Sequence, residues 1–119
     1  MINGTRVNIG ADVFSVKFPN GVVIQGNTQF DTFCLVLKEI GVERASQFAL
    51  STDKLRRYGS PYVGTQIYAK IKNTSGYSYE RCDGFYVIKG LSAPNMGRFL
   101  RYLSEYYNLK LEINIPGDR

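Results

Sequence analysis

The spacing of apolar residues along this chain switches twice from the period of a strand to that of a helix. In "FSVKF" (14–18) apolar and polar residues alternate, as in a strand with one buried face. In the next stretch Phe30, Phe33, Leu37 and Ile40 fall on one face of a helix, with Cys34 and Val36 beside it. The switch recurs over 77–107. "YSYERCDGFYVIKG" reads as a hairpin, and Met96, Phe99, Leu100, Leu103 and Tyr107 then return at helical spacing. "LKLEINI" (109–115) goes back to period two, with Leu109, Leu111, Ile113 and Ile115 on the apolar side. A chain patterned this way is neither all-helical nor all-β. It predicts an α+β fold, a mainly antiparallel sheet with two helices on one face and the other face partly open.

Turn and cap chemistry sets the joints. Pro19-Asn20-Gly21 supplies a hairpin turn, and Val22, Val23 and Ile24 form the return strand. Asn27 or Thr28 caps the first helix, Asp31 suits its first turn, and Gly41 stops it. "VERASQFAL" extends as a short second turn of helix and then passes into a strand near 48–50. Asp83-Gly84 is a two-residue hairpin tip. Ser92 caps the second helix with Pro94 in its first turn, and Gly97 is a mild liability inside it. Hairpin-then-helix thus occurs at 14–40 and at 77–107. This pseudo-repeat reflects either an old duplication or the most common way of covering one face of a sheet. At 119 residues the length fits a single domain, 1–119, with a core that needs no metal or disulfide.

Charge is unevenly distributed. The net charge is +5, and residues 54–79 carry Lys54, Arg56, Arg57, Lys70 and Lys72 against no acid. The other 93 residues carry ten basic and ten acidic side chains, which cancel. The window 55–79 also holds five of the nine tyrosines. A basic window favours polyanions or acidic protein surfaces, although acidic partners from elsewhere in the fold neutralise such a segment equally well.

Several chemistries are missing. Without histidine there is no Ser-His-Asp or Cys-His arrangement, and Cys34 and Cys82 make no four-ligand zinc site. No Gly-Lys-Ser or Gly-Lys-Thr ends a phosphate loop. The acids are scattered, unlike those of a metal-dependent nuclease. "GFYVI" matches only the first half of a Gly-Ile-Tyr nuclease signature, and a helix occupies the place of the second. Asp83 and Lys89, at the ends of one short strand, read as a surface charge pair. The expectation is no enzyme, no metal and no cofactor. Two cysteines and no signal peptide predict a reduced cytoplasmic protein, and no apolar run is long enough to span a membrane.

Binding chemistry is better supplied. In 66–72, Tyr68, Lys70 and Lys72 alternate with Ile67, Ala69 and Ile71, so they share a strand face. Arg56, Arg57, Tyr58 and Tyr62 lie in the adjoining loop, and Tyr77, Tyr79 and Arg81 share a face of the following strand. Pairing of 66–72 with 77–82 sets rings beside cations, the combination that holds single-stranded nucleic acid. The expected nucleic-acid-binding set is therefore Arg56, Arg57, Tyr58, Tyr68, Lys70, Lys72, Tyr79 and Arg81. The same pattern fits cross-strand tyrosine packing under Lys and Arg stems. A second reading is a protein-interaction or homodimerising module that uses an open sheet face or an edge strand such as 109–115.

Two long segments, "KFPNGVVIQGNTQFDTFCLVLKEIGVERAS" (17–46) and "DGFYVIKGLSAPNMGRFLRYLSEYYNLKLEI" (83–113), resemble a small, poorly characterised bacterial α+β accessory domain. The resemblance covers over half the chain, and its motifs are structural. It implies the order hairpin, helix, strand, helix, strand, and a setting in proteins linked to DNA processing or defence. It implies no catalytic residue and does not extend to 55–79.

Overall fold

The computed structural model describes residues 13–52, 56–57, 60–65 and 78–116, with the backbone alone at 56, 57 and 60. It is an α+β protein in which every described strand pairing is antiparallel. Its contacts divide the chain into two compact units, Met1–Val36 with Ser92–Arg119, and Leu37–Leu91.

The first unit is built on strands β1 (Ser15–Lys17), β2 (Val23–Ile24) and β8 (Glu112–Asn114), in the order β2-β1-β8. The turn at 19–21 forms as its residues require. Gly21 N–H donates to Phe18 O at 2.9 Å, and Phe18 N–H donates to Val22 O at 2.8 Å. The register Val16↔Ile24 follows from this closure. Phe14 and Val16 are fully buried while Lys17 is exposed, so the alternation is the buried face of β1.

Helix α1 (Gln29–Ile40) begins at Thr28, whose Oγ1 accepts from Asp31 N–H at 3.0 Å. Two glutamines fasten this end to β1. Gln29 Oε1 accepts from Phe14 N–H at 3.0 Å, and Gln25 Nε2 donates to Val13 O at 2.8 Å.

Helix α3 (Ala93–Tyr107) starts at Ser92, whose side chain accepts from Asn95 N–H, with Pro in its first turn. It ends on Asn108 in the left-handed region. Asn108 N–H reaches Glu105 O at 3.3 Å and Leu109 N–H reaches Ser104 O at 2.8 Å. These two bonds form a Schellman motif with asparagine in place of glycine. Ser104 Oγ then accepts from Leu111 N–H at 3.0 Å and leads the chain into β8. Phe33 of α1 and Phe99 of α3, both fully buried, meet edge-on at 5.7 Å. Such a contact is worth about 1 kcal/mol beyond the area it buries.

The second unit differs from expectation at its start. Residues 48–50 are not a strand. They belong to helix α2 (Val42–Ser51), so the described residues hold three helices rather than two. Val42, Ala45, Phe48 and Ala49 are buried at spacings of three and four, which only a helix brings to one side. Gly41 makes the joint. Its N–H closes α1 on Leu37 O at 2.8 Å, its O accepts from Ala45 N–H at 3.1 Å, and its φ of 112° lies where side chains are rarely tolerated.

The rest of this unit comprises a two-residue ladder, β3 (Arg56–Arg57) with β4 (Ser60–Pro61), and a sheet in the order β5-β7-β6. Strands β5 (Val63–Gly64), β6 (Ser78–Cys82) and β7 (Phe85–Lys89) form that sheet. The sheet is thus divided into small pieces where one larger sheet was expected. The tip at Asp83 (φ 51°) and Gly84 (φ 83°) has the two positive φ values of the predicted turn. Helix α2 lies against β5 and β7. Val87 and Ile88 are both buried although they point to opposite faces, so the centre of β7 is covered on both sides. In this sheet the exposed positions lie on β6, at Ser78, Glu80 and Arg81, whereas in the first unit one face of the β2-β1-β8 sheet is open, with Lys17, Val23, Glu112 and Asn114 exposed.

Hairpin-then-helix does occur twice. The first hairpin lies in the same unit as α1 through Val36, whereas β6 and β7 belong to the second unit and α3 to the first.

Candidate nucleic-acid interface

The two-residue tip at 83–84 fixes which residues of β6 and β7 face each other. Cys82 stands opposite Phe85, Arg81 opposite Tyr86, and Tyr79 opposite Ile88. Tyr79 and Arg81 share a face of β6, as expected from their spacing. The Arg81 guanidinium lies over the Tyr86 ring, 5.5 Å from its centroid, and Arg81 is exposed. This is a cation–π pair held at a cross-strand position. Tyr86 was not among the residues singled out from the sequence. Counting outward from Asp83-Gly84 would have found it, because a two-residue turn dictates the register.

Tyr79 is half-buried, and its hydroxyl donates to Pro61 O at 2.7 Å. Pro61 lies in β4 directly opposite Arg56, and Ser60 lies opposite Arg57. One hydrogen bond thus ties the strand carrying Arg81 to the ladder carrying Arg56 and Arg57. Three of the expected basic positions are brought to one part of the second unit by this link. Tyr62, in the same segment, is buried, and its carbonyl accepts from Ile88 N–H at 2.8 Å, so this tyrosine serves the core. Tyr58, Tyr68, Lys70 and Lys72 lie outside the described residues, as does the expected pairing of 66–72 with 77–82. The described partner of β6 is β7.

On the opposite face of the hairpin, Lys89 Nζ pairs with Glu80 Oε1 at 3.2 Å, with both side chains about half exposed. Lys89 is therefore part of a surface ion pair, but with Glu80 on the neighbouring strand rather than with Asp83. Cys34 is half-buried and Cys82 is buried, both as thiols. Among the described residues no three acidic or cysteine side chains gather as metal ligands, and no helix is long and apolar enough to cross a membrane.

An open groove of about 390 Å³ lies in the first unit beside β1 and β8. Ser15, Gln25 and Asn114 are its polar lining residues, and among the described residues no charged side chain lines it.

No protein-family model matches the chain, and no curated protein or solved structure matches it.

Proposed function

We propose that this protein is a non-enzymatic accessory module that binds nucleic acid through the basic, tyrosine-rich region 54–81. The observation that carries this reading is the Tyr79–Pro61 hydrogen bond, which joins the Arg81 strand to the Arg56–Arg57 ladder within the segment holding the entire charge excess. Arg56, Arg57, Lys70 and Lys72 meet phosphates, and Tyr58 and Tyr68 stack on bases. Arg81, already seated on Tyr86, offers a flat guanidinium to a base or a phosphate. The resemblance to a bacterial domain linked to DNA processing or defence favours the same class of partner.

Titration of labelled single- and double-stranded oligonucleotides at low and moderate salt tests the proposal. Affinity should fall as salt rises, because each phosphate contact releases counterions. Absence of binding at low salt overturns it.

A second reading, self-association, draws on β2. Val22 and Val23 are exposed, and β2 has one neighbour, β1, among the described residues. Bare apolar edges of this kind pair with other chains. A dimer that grows with concentration in sedimentation, without oligonucleotide affinity, would favour this reading over the first.

A further inference from the structure

The hairpin tip between β1 and β2 carries reactive chemistry that no other described asparagine shares. Asn20 is followed by Gly21, and both are exposed. The sequence holds one other Asn-Gly pair, at 3–4, outside the described residues. Asparagine is a thermolabile residue, because its carboxamide carbon is open to attack by the backbone nitrogen of the next residue. A side chain on that next residue obstructs the approach. Gly21 has none, and a Cβ built there would meet nothing within 4 Å.

The local hydrogen bonds prepare the carboxamide. Asn20 Oδ1 accepts from Val22 N–H at 3.0 Å. This bond bridges across Gly21, so it holds the carboxamide alongside the Gly21 nitrogen, a placement that speeds an intramolecular reaction. The same N–H donates to the oxygen on which negative charge develops when Cγ is attacked, as an oxyanion-hole donor does. One bond acts as a restraint. Gly21 N–H donates to Phe18 O at 2.9 Å and must lose this proton before its nitrogen attacks. Hydroxide removes the proton, so the reaction quickens as pH rises.

We infer that Asn20 is a site of spontaneous deamidation in the folded protein. Gly21 N gives up its proton and bonds to Asn20 Cγ. The Cγ–Nδ2 bond breaks, and Nδ2 leaves as ammonia with a proton from water. Water then opens the resulting cyclic imide at either carbonyl. Cleavage of the new N–Cγ bond leaves aspartate. Cleavage of the original peptide bond leaves isoaspartate, whose backbone runs through Cβ and is one carbon longer. Either product adds one negative charge, taking the net charge from +5 to +4. The longer backbone falls inside the span closed by Phe18 N–H on Val22 O, which sets the register of β1 with β2.

The test incubates the folded full chain at neutral and mildly alkaline pH and follows tryptic peptide 18–38 by mass spectrometry. Cleavage after Lys17 and Lys38 separates this peptide from the pair at 3–4. It should lose its amide at Asn20, faster at higher pH, and yield an aspartate–isoaspartate pair that separates on reversed-phase chromatography. Asn27, exposed in the same peptide but followed by Thr28, should keep its amide. V22P removes the N–H that bonds Asn20 Oδ1 and should slow conversion about five-fold, with circular dichroism checking that it is folded.

If the native chain keeps its amide at Asn20 while the chain unfolded in urea loses it, the closed turn protects the residue and the inference falls. Aspartate as the sole product also overturns it, since direct hydrolysis leaves no part for Gly21 N. A folded V22P variant that converts as fast as wild type removes the role given to Val22 N–H and sinks the inference with it. Should V22P fail to fold, the urea comparison and the product pair still decide.

Discussion

Gly97 reads as a weak point in the sequence and turns out to lie directly under the Ile115 side chain. A Cβ placed there would come within 2.4 Å of Ile115 Cδ1 and 3.5 Å of Ile113 Cγ2. Alanine would gain about 1 kcal/mol of helix propensity but force the Ile115 side chain aside, a strain of roughly 1–3 kcal/mol. Gly97→Ala should therefore lower stability by about 1 kcal/mol in urea unfolding, and adding Ile115→Val, which removes Cδ1, should recover most of that loss. Additive effects in this double-mutant cycle would show that the two residues are not in contact. Lys110 presents the opposite case, a side chain at φ 58° where the backbone disfavours one. Left-handed backbone costs a lysine about 1–2 kcal/mol, partly offset in glycine by the greater freedom of its unfolded chain. Lys110→Gly should raise the thermal midpoint by a few degrees, and a lowered midpoint would mean that the lysine side chain makes a compensating contact.

Among the elements, the β6–β7 hairpin was the most readable and β3–β4 the least. Asp83-Gly84 names its own turn, and that turn names the partners of every residue in both strands. Gly84→Ala places a Cβ at φ 83° and should cost about 1–2 kcal/mol, measured by denaturant unfolding. Tyr79→Phe removes the bond to Pro61 O and should cost about 1 kcal/mol. If that bond also holds the Arg56–Arg57 ladder in place for binding, the variant loses oligonucleotide affinity even under conditions where it is fully folded. Unchanged affinity would separate the ladder from the binding surface. By contrast, residues 48–50 were misread because an apolar run of three fits a strand and a helix equally well. Contact with β5 and β7 settles the choice in favour of the helix, which buries Ala45, Phe48 and Ala49 together. The role of Tyr86 was open to sequence reasoning through the turn register. The tie between Tyr79 and Pro61 was not, since nothing local points from one to the other.

For the whole molecule, the placement of charge matters more than its total. K70Q/K72Q and K17Q/K38Q each lower the net charge from +5 to +3 by removing two lysines. If binding resides in region 54–81, the first pair should reduce the salt slope by about 1.4 while the second leaves it nearly unchanged. Equal losses would point to a diffuse field rather than a site. What could be read from the residues alone was local. Alternating and helical periods, caps at Thr28 and Ser92, and turns at 19–21 and 83–84 each depend on contacts within a few positions, so the α+β order and most element limits followed from them. The pairing of β1 with β8 joins Val16 to Ile113 across most of the chain, and the fit of Gly97 under Ile115 comes from the same return. The division of the sheet and the burial of both Val87 and Ile88 likewise depend on surfaces that meet only after folding. Side-chain pattern records which face of a strand is buried, but not which distant segment buries it.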